Sequence, residues 1–453
     1  MFKDFEKQSP LTWKEKIITD LKGGNYEDIL VWKSDEDITV EPFYTKEHRS
    51  SNSGVLFKNA NWNIVDRLIL SEEKKDNAHL LETLNWGSSS IFIDISEIEK
   101  INPEILFKDI AIDCIECIVD CNLDQSALIS NILDYINTNF DLEKINFKVN
   151  FNGFQQYYKS GHVSSYLSEE LKRFWAIQNK YSNSNIKLFG IDLRYLQNAG
   201  ARMVDQLAYS LAIAQLYVDV LDKSVLSHIG IFTSTASNFF FEISKLRAFR
   251  KLWAFYFKTY GVEDTLWIYA ENSTKNKTVF DSYVNMLRTG SETLSNVIGG
   301  ADSIYTQPFD AVYKNRNTFS TRIARNQQIL IQGESYFDKV ADVANGAYYI
   351  EHLTQELEQK AFDKFKNIDA LGWINFLTTG NLKGDLELVS QVDKSNFDDL
   401  SKPLLGTNLY PNLEETMSED IEIDIDPYKS YHIKNRRISI ASELERLAQE
   451  KQK

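Results

Sequence analysis

The chain has 453 residues, of which 43% are hydrophobic and 25% charged, enough for one large globular domain with appendages or for two medium ones. The formal net charge of −15 and the pI near 5.0 exclude sequence-independent binding to nucleic acid or to an anionic membrane, because both need a basic surface. We expect proteins or small molecules as partners, with no nucleic-acid and no membrane partner.

The N-terminal residues "MFKDFEKQSPLTWKEK" are polar and charged and lack the apolar core of a secretion signal. No later run of about 18 apolar residues could cross a bilayer, so we expect a soluble, cytoplasmic protein. Residues 1–60 combine two helix-like pieces with polar connections. They predict an N-terminal arm for subunit contact, lying on the surface of a barrel.

From about residue 85, seven strand-like segments alternate with helical ones: "SSSIFIDIS", "IECIVDC", "KINFKVNF", "IKLFGIDL", "LSHIGIF", "DTLWIYAEN" and "GADSIYTQ". Near-continuous apolar strands separated by helices are typical of a parallel sheet covered by helices. With an eighth strand placed near "VADVANGAYYIEHL", the pattern predicts an α/β fold, a (β/α)8 TIM barrel over residues 61–390. Neither GxGxxG nor GxxxxGK[ST] occurs, which leaves a standard nucleotide-phosphate loop unsupported.

Two helices are defined by apolar residues recurring at three and four positions, from Ala201 to Leu221 and from Phe239 to Gly261. Both are expected in the outer ring, with polar faces free to meet solvent or a partner.

The three cysteines cluster in "DCIECIVDC" as Cys114, Cys117 and Cys121. A CxxC spacing permits a metal or redox site, but the sequence offers no local fourth ligand and no nearby histidine. Their alternation with isoleucine and valine favours a buried strand in which the thiols pack as small apolar groups.

Residues 391–453 predict a C-terminal tail. Isoleucine alternates with acids in "SEDIEIDIDPY", a basic "HIKNRR" follows, and Ser442 and Glu445 have the spacing of a capping box. The pattern favours a solvated tail with a short helix over a docking element.

Polar residues that directly follow strands are the candidates for chemistry in a barrel. Asp192 and Glu271 could act as an acid and a base, although satisfying strand ends and loops is the favoured role for the whole set. No histidine follows a strand in a way that suggests a base. No pair of histidine and carboxylate recurs at ligand spacing, so no metal centre is predicted. The set comprises Asp94, Asp120, Asn152, Arg194, Tyr195, Gln197, Asn198, Thr233, Ser234, Glu271, Asn272, Tyr305, Thr306 and Gln307.

The densest polar segment is "STRIARNQQILIQGES", residues 320–335. Arg322 and Arg325, with the amides that follow them, could grip a phosphate or a carboxylate through their forked donors. They could equally begin an ion-paired helix.

Several segments are familiar in order and spacing: "LAYSLA", "FFFEISKLRAFRKLWA", "VNMLRTGSETLSNVIGGADSIYTQPFD", "STRIARNQQILIQGES" and "GAYYIEHLTQELEQKAF". Together they resemble the acyl-CoA barrel of adenosylcobalamin-dependent methylmalonyl-CoA mutase, and "DLKGGNYEDILVWKSDEDITVEPFY" and "PLLGTNLYPN" match as well. The resemblance is dense from about residue 186 to 380, good at 13–44 and thin at 45–150.

The resemblance implies that active-site residues of the catalytic chain are replaced in this one. Arg194 and Tyr195 stand where that chain carries a Tyr and a His, and Tyr269 and Tyr305 each replace a His. Glu271 replaces a Gln. Asn198 and Ala311 each replace a Glu. A degenerate former site is therefore expected, with no catalytic, cofactor-binding or metal-binding residue. It comprises Arg194, Tyr195, Asn198, Tyr269, Glu271, Tyr305 and Ala311.

The resemblance also implies what is absent. No cobalamin-binding domain is expected, because no histidine follows an Asp by two residues and too few residues remain after the barrel. The early tyrosine-bearing loop of the catalytic chain is replaced by "KNANWNIVDRL", which looks like the family's small chain.

These features imply a non-catalytic small chain, active only within a heterodimeric mutase complex. The large chain would carry adenosylcobalamin and interconvert succinyl-CoA and (R)-methylmalonyl-CoA, in propionate metabolism. We further expect a barrel mouth blocked or narrowed, compared with a catalytic barrel, by the new tyrosines and Arg194. The alternatives are an autonomous acyl-CoA-binding or acyl-CoA-modifying barrel with a remodelled site, and a barrel that associates with itself.

Overall fold

A computed structural model describes residues 8–48, 56–57, 59–181 and 185–452. Its centre is a sheet of parallel strands that alternate with helices along the chain. The strands of this sheet are β3 (Asn63–Ile69), β4 (Ser90–Asp94), β5 (Glu116–Asn122), β6 (Asn146–Asn152), β7 (Ile186–Lys187), β8 (Phe189–Asp192), β9 (Ile229–Thr235), β10 (Trp267–Asn272) and β11 (Ser303–Tyr305).

The sheet closes into an eight-stranded barrel. Neighbouring strands pair in the order β7-β6-β5-β4-β3-β11-β10-β9-β8, all in parallel. Strands β7 and β8 are two halves of one strand, separated by Leu188, and they pair with β6 and β9 respectively. The predicted TIM-type barrel is thereby confirmed.

Sixteen α-helices lie in the described residues, and those between the strands form the outer layer. They are α1 (Pro10–Asp20), α2 (Tyr26–Leu30), α3 (Glu73–Asn85), α4 (Pro103–Leu106), α5 (Ser126–Asn139), α6 (Gln155–Ser160), α7 (Leu167–Lys180), α8 (Arg194–Ala199), α9 (Met203–Val220), α10 (Phe239–Tyr260), α11 (Val284–Gly299), α12 (Thr318–Gly333), α13 (Tyr348–Leu371), α14 (Trp373–Thr378), α15 (Asn381–Asp398) and α16 (Ile440–Glu450). Single 3-10 turns occur at Lys46–His48, Ile112–Cys114, Leu142–Lys144, Lys223–His228 and Phe337–Lys339. None of these helices has the length and apolar character needed to cross a membrane.

The seven strands expected from residue 85 onward are present, but the eighth was placed wrongly. The segment near "VADVANGAYYIEHL" forms turns and the start of α13, whereas the remaining strand is β3, the first of the barrel. Strand β3 contains Asp66 and Arg67, whose charges interrupt the apolar run that identifies the other strands. Both side chains have ion-pair partners in the fold, which makes their position in a strand possible.

The interior of the barrel is filled with side chains. Because side chains alternate along a strand, every second residue faces the axis. Gly230 makes room for the Trp267 ring, since a Cβ there would come within 2.7 Å of it. Phe92, Phe232 and Tyr269 have no exposed surface, so the barrel axis is closed at this level. The central layer consists of Val65, Phe92, Ile118, Phe232, Trp267 and Tyr269.

The arm divides into a free part and a docked part. Helix α1 contains no buried residue. Farther on, β1 (Trp32–Lys33) and β2 (Thr39–Val40) form a small antiparallel ladder, and Ile38 is 1% exposed within the main core. Glu36 accepts hydrogen bonds from the backbone N–H groups of Met203 (2.8 Å) and Val204 (3.0 Å), which ties the arm to the start of α9.

The outer helices α9 and α10 occur where the sequence predicts them, but α10 is not free on its polar face. Arg247 is 0% exposed and forms ion pairs with Asp342 and with Glu351 at the start of α13. Because α13 packs over α10, the polar stripe of α10 binds another helix of the same chain.

The expectation of a solvated C-terminal tail is wrong. The backbone N–H groups of His432 and Ile433 donate to the carbonyls of Lys159 and Tyr158, both at 3.0 Å. The expected capping box at Ser442 and Glu445 is also absent, because α16 begins at Ile440. The division into residues 1–60, 61–390 and 391–453 remains a prediction, and α15 runs across its second boundary.

Candidate functional site at the barrel mouth

A cavity of about 1100 Å³ lies at the carboxyl end of the barrel strands. Its lining combines residues after several strands with residues of the C-terminal segment, among them Tyr428 and Tyr431. This is the end at which TIM barrels place their functional side chains, because the loops after all eight strands meet there. The cavity is therefore the candidate functional site.

Arg194 is the centre of the cavity floor and is 7% exposed. Its Nη2 lies 2.7 Å from Asp192 Oδ2 and 2.8 Å from Asp120 Oδ2, and its Nη1 lies 3.4 Å from Glu271 Oε2. Each carboxylate ends a different strand, so one guanidinium joins β5, β8 and β10. The two proposed acid–base residues, Asp192 and Glu271, are thus brought together as ion-pair partners of the same arginine.

A second arginine completes the network. Arg67 Nη2 lies 3.2 Å from Asp94 Oδ2, and Arg67 Nη1 lies 3.7 Å from Glu271 Oε2. Below them, the Tyr269 hydroxyl donates to Glu271 Oε2 at 2.8 Å. Both guanidinium groups lie over the Phe92 ring, at 4.9 Å for Arg67 and 5.3 Å for Arg194. The charged layer therefore rests directly on the aromatic layer that closes the axis.

The carboxylates of this layer differ in protonation behaviour. Burial raises the pKa of Asp120 to about 6 against the opposing effect of Arg194, and the neighbouring Asp94 and Asp192 add to the rise. Burial would also raise the pKa of Asp192, but the adjacent Arg194 guanidinium holds that pKa below its usual value. Four carboxylates face two guanidinium groups, so the floor carries an excess of acid.

The C-terminal segment covers one side of the mouth. The Tyr195 ring stacks on Tyr158 with centroids 4.7 Å apart and on Tyr431 at 6.4 Å, and Tyr428 meets it edge-on at 5.4 Å. The Tyr195 hydroxyl donates to the carbonyl of Ile433 at 2.7 Å. Tyr195 is consequently held by its own chain, on the side where a ligand would otherwise reach it.

The remaining residues of the expected degenerate site gather at the same place. Asn198, Tyr305 and Ala311 line the cavity, and Asn198 Oδ1 accepts a hydrogen bond from Ser273 Oγ at 2.6 Å. Burial raises the pKa of Tyr305 to about 12. Tyr269 lies just beneath the cavity. The structure brings all seven together, while their descent from a former active site stays a prediction.

Other sequence candidates divide between the cavity and the scaffold. Asp94, Asp120, Asn152 and Gln307 line the cavity. The others bond to neighbouring elements, as the favoured interpretation expects: Ser234 with Gln197, Thr233 with Gln206, Asn272 with the Thr289 carbonyl, and Thr306 with Thr293.

In "STRIARNQQILIQGES", Arg325 is buried and forms an ion pair with Asp66 at 3.0 Å, inside α12, while Arg322 is exposed. Cys117 and Cys121 are buried in β5 and Cys114 is exposed. Across the ranges that the structure describes, no group of three or more Cys, His, Asp or Glu side chains is arranged to hold a metal ion.

Sequence reasoning missed several residues of the mouth. Asp66 and Arg67 belong to the strand that was not recognised, and Tyr428 and Tyr431 belong to the tail that was expected in solvent. A signal existed for the tail, because Ile421, Ile423 and Ile425 alternate with acids as they would on a segment with one covered face. No local pattern marks Arg316, which lines the cavity from the loop before α12.

The fold and the mouth define this chain as a TIM-barrel protein with a closed axis and a charged, partly covered cavity at the carboxyl end of its strands. The methylmalonyl-CoA mutase family model matches residues 57–452. The chain belongs to the methylmalonyl-CoA mutase family.

Curated relatives agree with this assignment. The chain is 31% identical over 455 residues to the methylmalonyl-CoA mutase small subunit of Porphyromonas gingivalis, covering 93% of this chain and 73% of the relative. It is 26% identical to the methylmalonyl-CoA mutase of Cereibacter sphaeroides, covering 91% and 66%. It is 30% identical to the large subunit of P. gingivalis, covering 54% and 36%. The chain thus spans about two thirds or less of the latter two relatives.

Proposed function

We propose that this chain is a small, non-catalytic subunit of a two-subunit methylmalonyl-CoA mutase. In this role it pairs with the catalytic chain and holds that chain in a productive shape. The isomerisation of succinyl-CoA to (R)-methylmalonyl-CoA takes place on the partner. The relatives in P. gingivalis, named as small and large subunits, support two chains of this kind in one organism.

The observation that carries the proposal is the ion network on the cavity floor. Arg194, Asp120, Asp192 and Glu271 bind one another, above an axis closed by Phe92 and Tyr269. A general acid or base must lie within hydrogen-bond reach of the proton that it transfers. Here the charged side chains at the strand ends form ion pairs with one another, so their role in our proposal is to hold the strands of the barrel together.

Adenosylcobalamin, the cofactor of the family, does not fit the residues at this mouth. Tyr195 stacks on Tyr158 and Tyr431, so the chain's own C-terminal segment covers one side of the mouth. We therefore place the cofactor on the partner chain.

Absorption spectroscopy tests that placement. The purified chain is mixed with hydroxocobalamin and passed through a gel-filtration column. We expect no cobalamin absorbance to elute with the protein. Stoichiometric retained colour would contradict the assignment of the cofactor to the partner.

Co-expression with a mutase large chain from the same source tests the function itself. We expect one heterodimeric peak whose mutase activity exceeds that of the large chain alone, and no activity from the small chain alone. A matched control is the Arg194→Met variant of the small chain. Since Arg194 has no catalytic role in the proposal, complexes that still form should keep the turnover number of the wild type.

The rival acyl-CoA-binding function predicts a different result. Titration of the isolated chain with succinyl-CoA would then give saturable binding that the Arg194 and Glu271 variants weaken. If no heterodimer forms and the isolated chain binds succinyl-CoA, the acyl-CoA-binding function replaces our proposal. If the chain self-associates but forms no heterodimer and binds no succinyl-CoA, the self-associating barrel is favoured.

A further inference from the structure

At one edge of the mouth cavity, two arginines share a single carboxylate. Asp66 Oδ2 accepts hydrogen bonds from Arg325 Nη2 at 3.0 Å and from Thr83 Oγ1 at 2.7 Å, while Asp66 Oδ1 accepts from Arg316 Nη2. The Asp66 carboxylate neutralises one guanidinium group and leaves a net positive charge. We call these residues, together with His79 of α3 and Thr321 of α12 in the same part of the cavity lining, the Asp66 cluster.

Three polar atoms of the Asp66 cluster have no partner. Arg325 Nε, Thr321 Oγ1 and His79 Nε2 are buried and form no hydrogen bond with any described residue. Thr321 and Arg325 are 7% and 5% exposed and lie one turn apart on α12, and His79 lies one turn from Thr83 on α3. A buried polar group left unpaired is unfavourable, because it has lost its hydrogen bonds to water. The three residues line the same edge of the cavity, so a ligand bound at this edge would lie beside these unpaired groups.

The cavity reaches this cluster. His79, Thr321, Arg316 and Arg325 all belong to its lining. Arg316, whose side chain is 28% exposed, is the cation that an entering anion would meet first. The Trp86 ring lies 5.3 Å from the Arg325 guanidinium and restricts its orientation.

Charge selects this edge over the centre of the cavity. The central floor holds four carboxylates against two arginines and would repel an anion. The edge instead adds Lys75 and Lys314 to the two arginines, so four cations stand against four acids, Asp66, Asp76, Glu82 and Asp310. Glu82 is exposed, Asp76 accepts hydrogen bonds from the backbone N–H groups of Ser71 and Glu72, and Asp310 accepts one from Asn317 at 2.8 Å.

We propose that the Asp66 cluster binds a phosphate group, carried either by free phosphate or by a small phosphate ester. A guanidinium offers forked donors that match a phosphate, and the threonine hydroxyl and the imidazole add further donors. The site is separate from the ion network of the central floor, and the proposal does not depend on the pairing of this chain with a mutase large chain.

Calorimetric titration of the full chain with inorganic phosphate and with phenyl phosphate tests the proposal. Ionic strength is held constant with sodium chloride, so that general charge screening cancels. Saturable binding of inorganic phosphate is expected. Equal affinity for the ester would indicate that the phosphate group alone is recognised, and tighter binding of the ester would indicate that its ring packs beside Trp86.

Three variants locate the site. Arg316→Gln should weaken binding at least about tenfold, because it removes a charge-assisted bond, and Thr321→Val should weaken binding by a smaller factor. Arg322→Gln removes the same kind of charge at an exposed position of α12 and should leave the affinity unchanged. Absence of saturable binding, or equal weakening by Arg316→Gln and Arg322→Gln, would overturn the proposal. If the Arg316→Gln variant does not fold, an unchanged phosphate affinity of the Thr321→Val variant would overturn the proposal.

Discussion

At the scale of the residue, the mouth is organised by one side chain with several partners. Arg194 binds carboxylates near the carboxyl ends of three different strands, so it links strands that are far apart in sequence. The sequence could predict that residues following the strands meet, because the carboxyl ends of parallel strands lie at one end of a barrel. Which of these residues pair with one another could not be predicted, because the pairing depends on strand register and on Arg67. Arg67 lies in β3, which was not recognised as a strand because charged residues interrupt its apolar run.

Replacing Arg194 by methionine tests how much the fold depends on the network. The change leaves Asp120 and Asp192 buried without their main cation, and uncompensated buried charge typically costs about 3–5 kcal/mol. Urea-induced unfolding should show a loss of this size. Arg322→Met, on the exposed side of α12, serves as control and should stay within about 0.5 kcal/mol of wild type. A loss below about 1 kcal/mol for Arg194→Met would mean that the ion pairs add little stability.

Asp120 predicts a pH dependence of stability. Its pKa is raised to about 6 in the folded protein, compared with the ordinary 3.8 expected when unfolded. The folded state therefore binds the proton more tightly, and this group's contribution to stability, present at low pH, is lost as the pH rises through 6.

Asp120→Asn removes that contribution. Comparing unfolding free energies of the wild type and the variant should show the wild type losing about 2 kcal/mol relative to the variant between about pH 4.5 and 6.5. Asp28→Asn, at an exposed position of the arm, should show no such difference. Parallel curves for the wild type and Asp120→Asn would mean that the carboxyl titrates at its ordinary pKa.

At the scale of the element, the sequence predicts helices and apolar strands well and charged strands poorly. Seven strands with uninterrupted apolar runs were identified, whereas β3 was missed because Asp66 and Arg67 break its run. The tail was misjudged for a related reason. Its covered side chains are spread among acids and bases, and their partners, such as Val279 and Phe280, lie far away in the sequence.

Helix α16 offers a matched pair of substitutions for testing its docking. Leu447 is 7% exposed and belongs to a cluster with Phe280 and Met417, whereas Leu444 is 45% exposed on the same helix. Leu447→Ala should destabilise the docked tail by about 2–4 kcal/mol, and Leu444→Ala by about 0.5 kcal/mol or less. Hydrogen exchange of the α16 amides measures both. Equal exchange in the two variants would mean that the helix does not depend on this contact.

At the scale of the whole molecule, the barrel closes its axis and its C-terminal segment covers one side of the mouth, while the first helix of the N-terminal arm remains largely exposed. Leu11, Trp13 and Ile18 on α1 are 66%, 55% and 45% exposed. An isolated helix of 11 residues is marginal in water, so α1 needs a surface to pack against. The later part of the arm has such a surface on its own barrel, through Ile38 and Glu36.

Truncation of the arm therefore has two expected outcomes that depend on where it ends. Deleting residues 1–45 removes Ile38 and Val40 from the core, so lost stability would accompany any lost pairing. Within the described residues, deleting residues 1–24 removes no buried side chain, although it removes the contact of Trp13 with Phe43, and it should leave the unfolding midpoint of the barrel nearly unchanged. If α1 docks on the large chain, as an apolar subunit contact would require, the shorter deletion should abolish heterodimer formation and mutase activity.

The double variant Leu11→Ser with Trp13→Ser should also weaken pairing with the large chain, while Thr12→Ser on the same helix should not. Sedimentation analysis of mixtures with the large chain measures each case, and a fully active complex formed by the 1–24 deletion would place the interface elsewhere on the barrel.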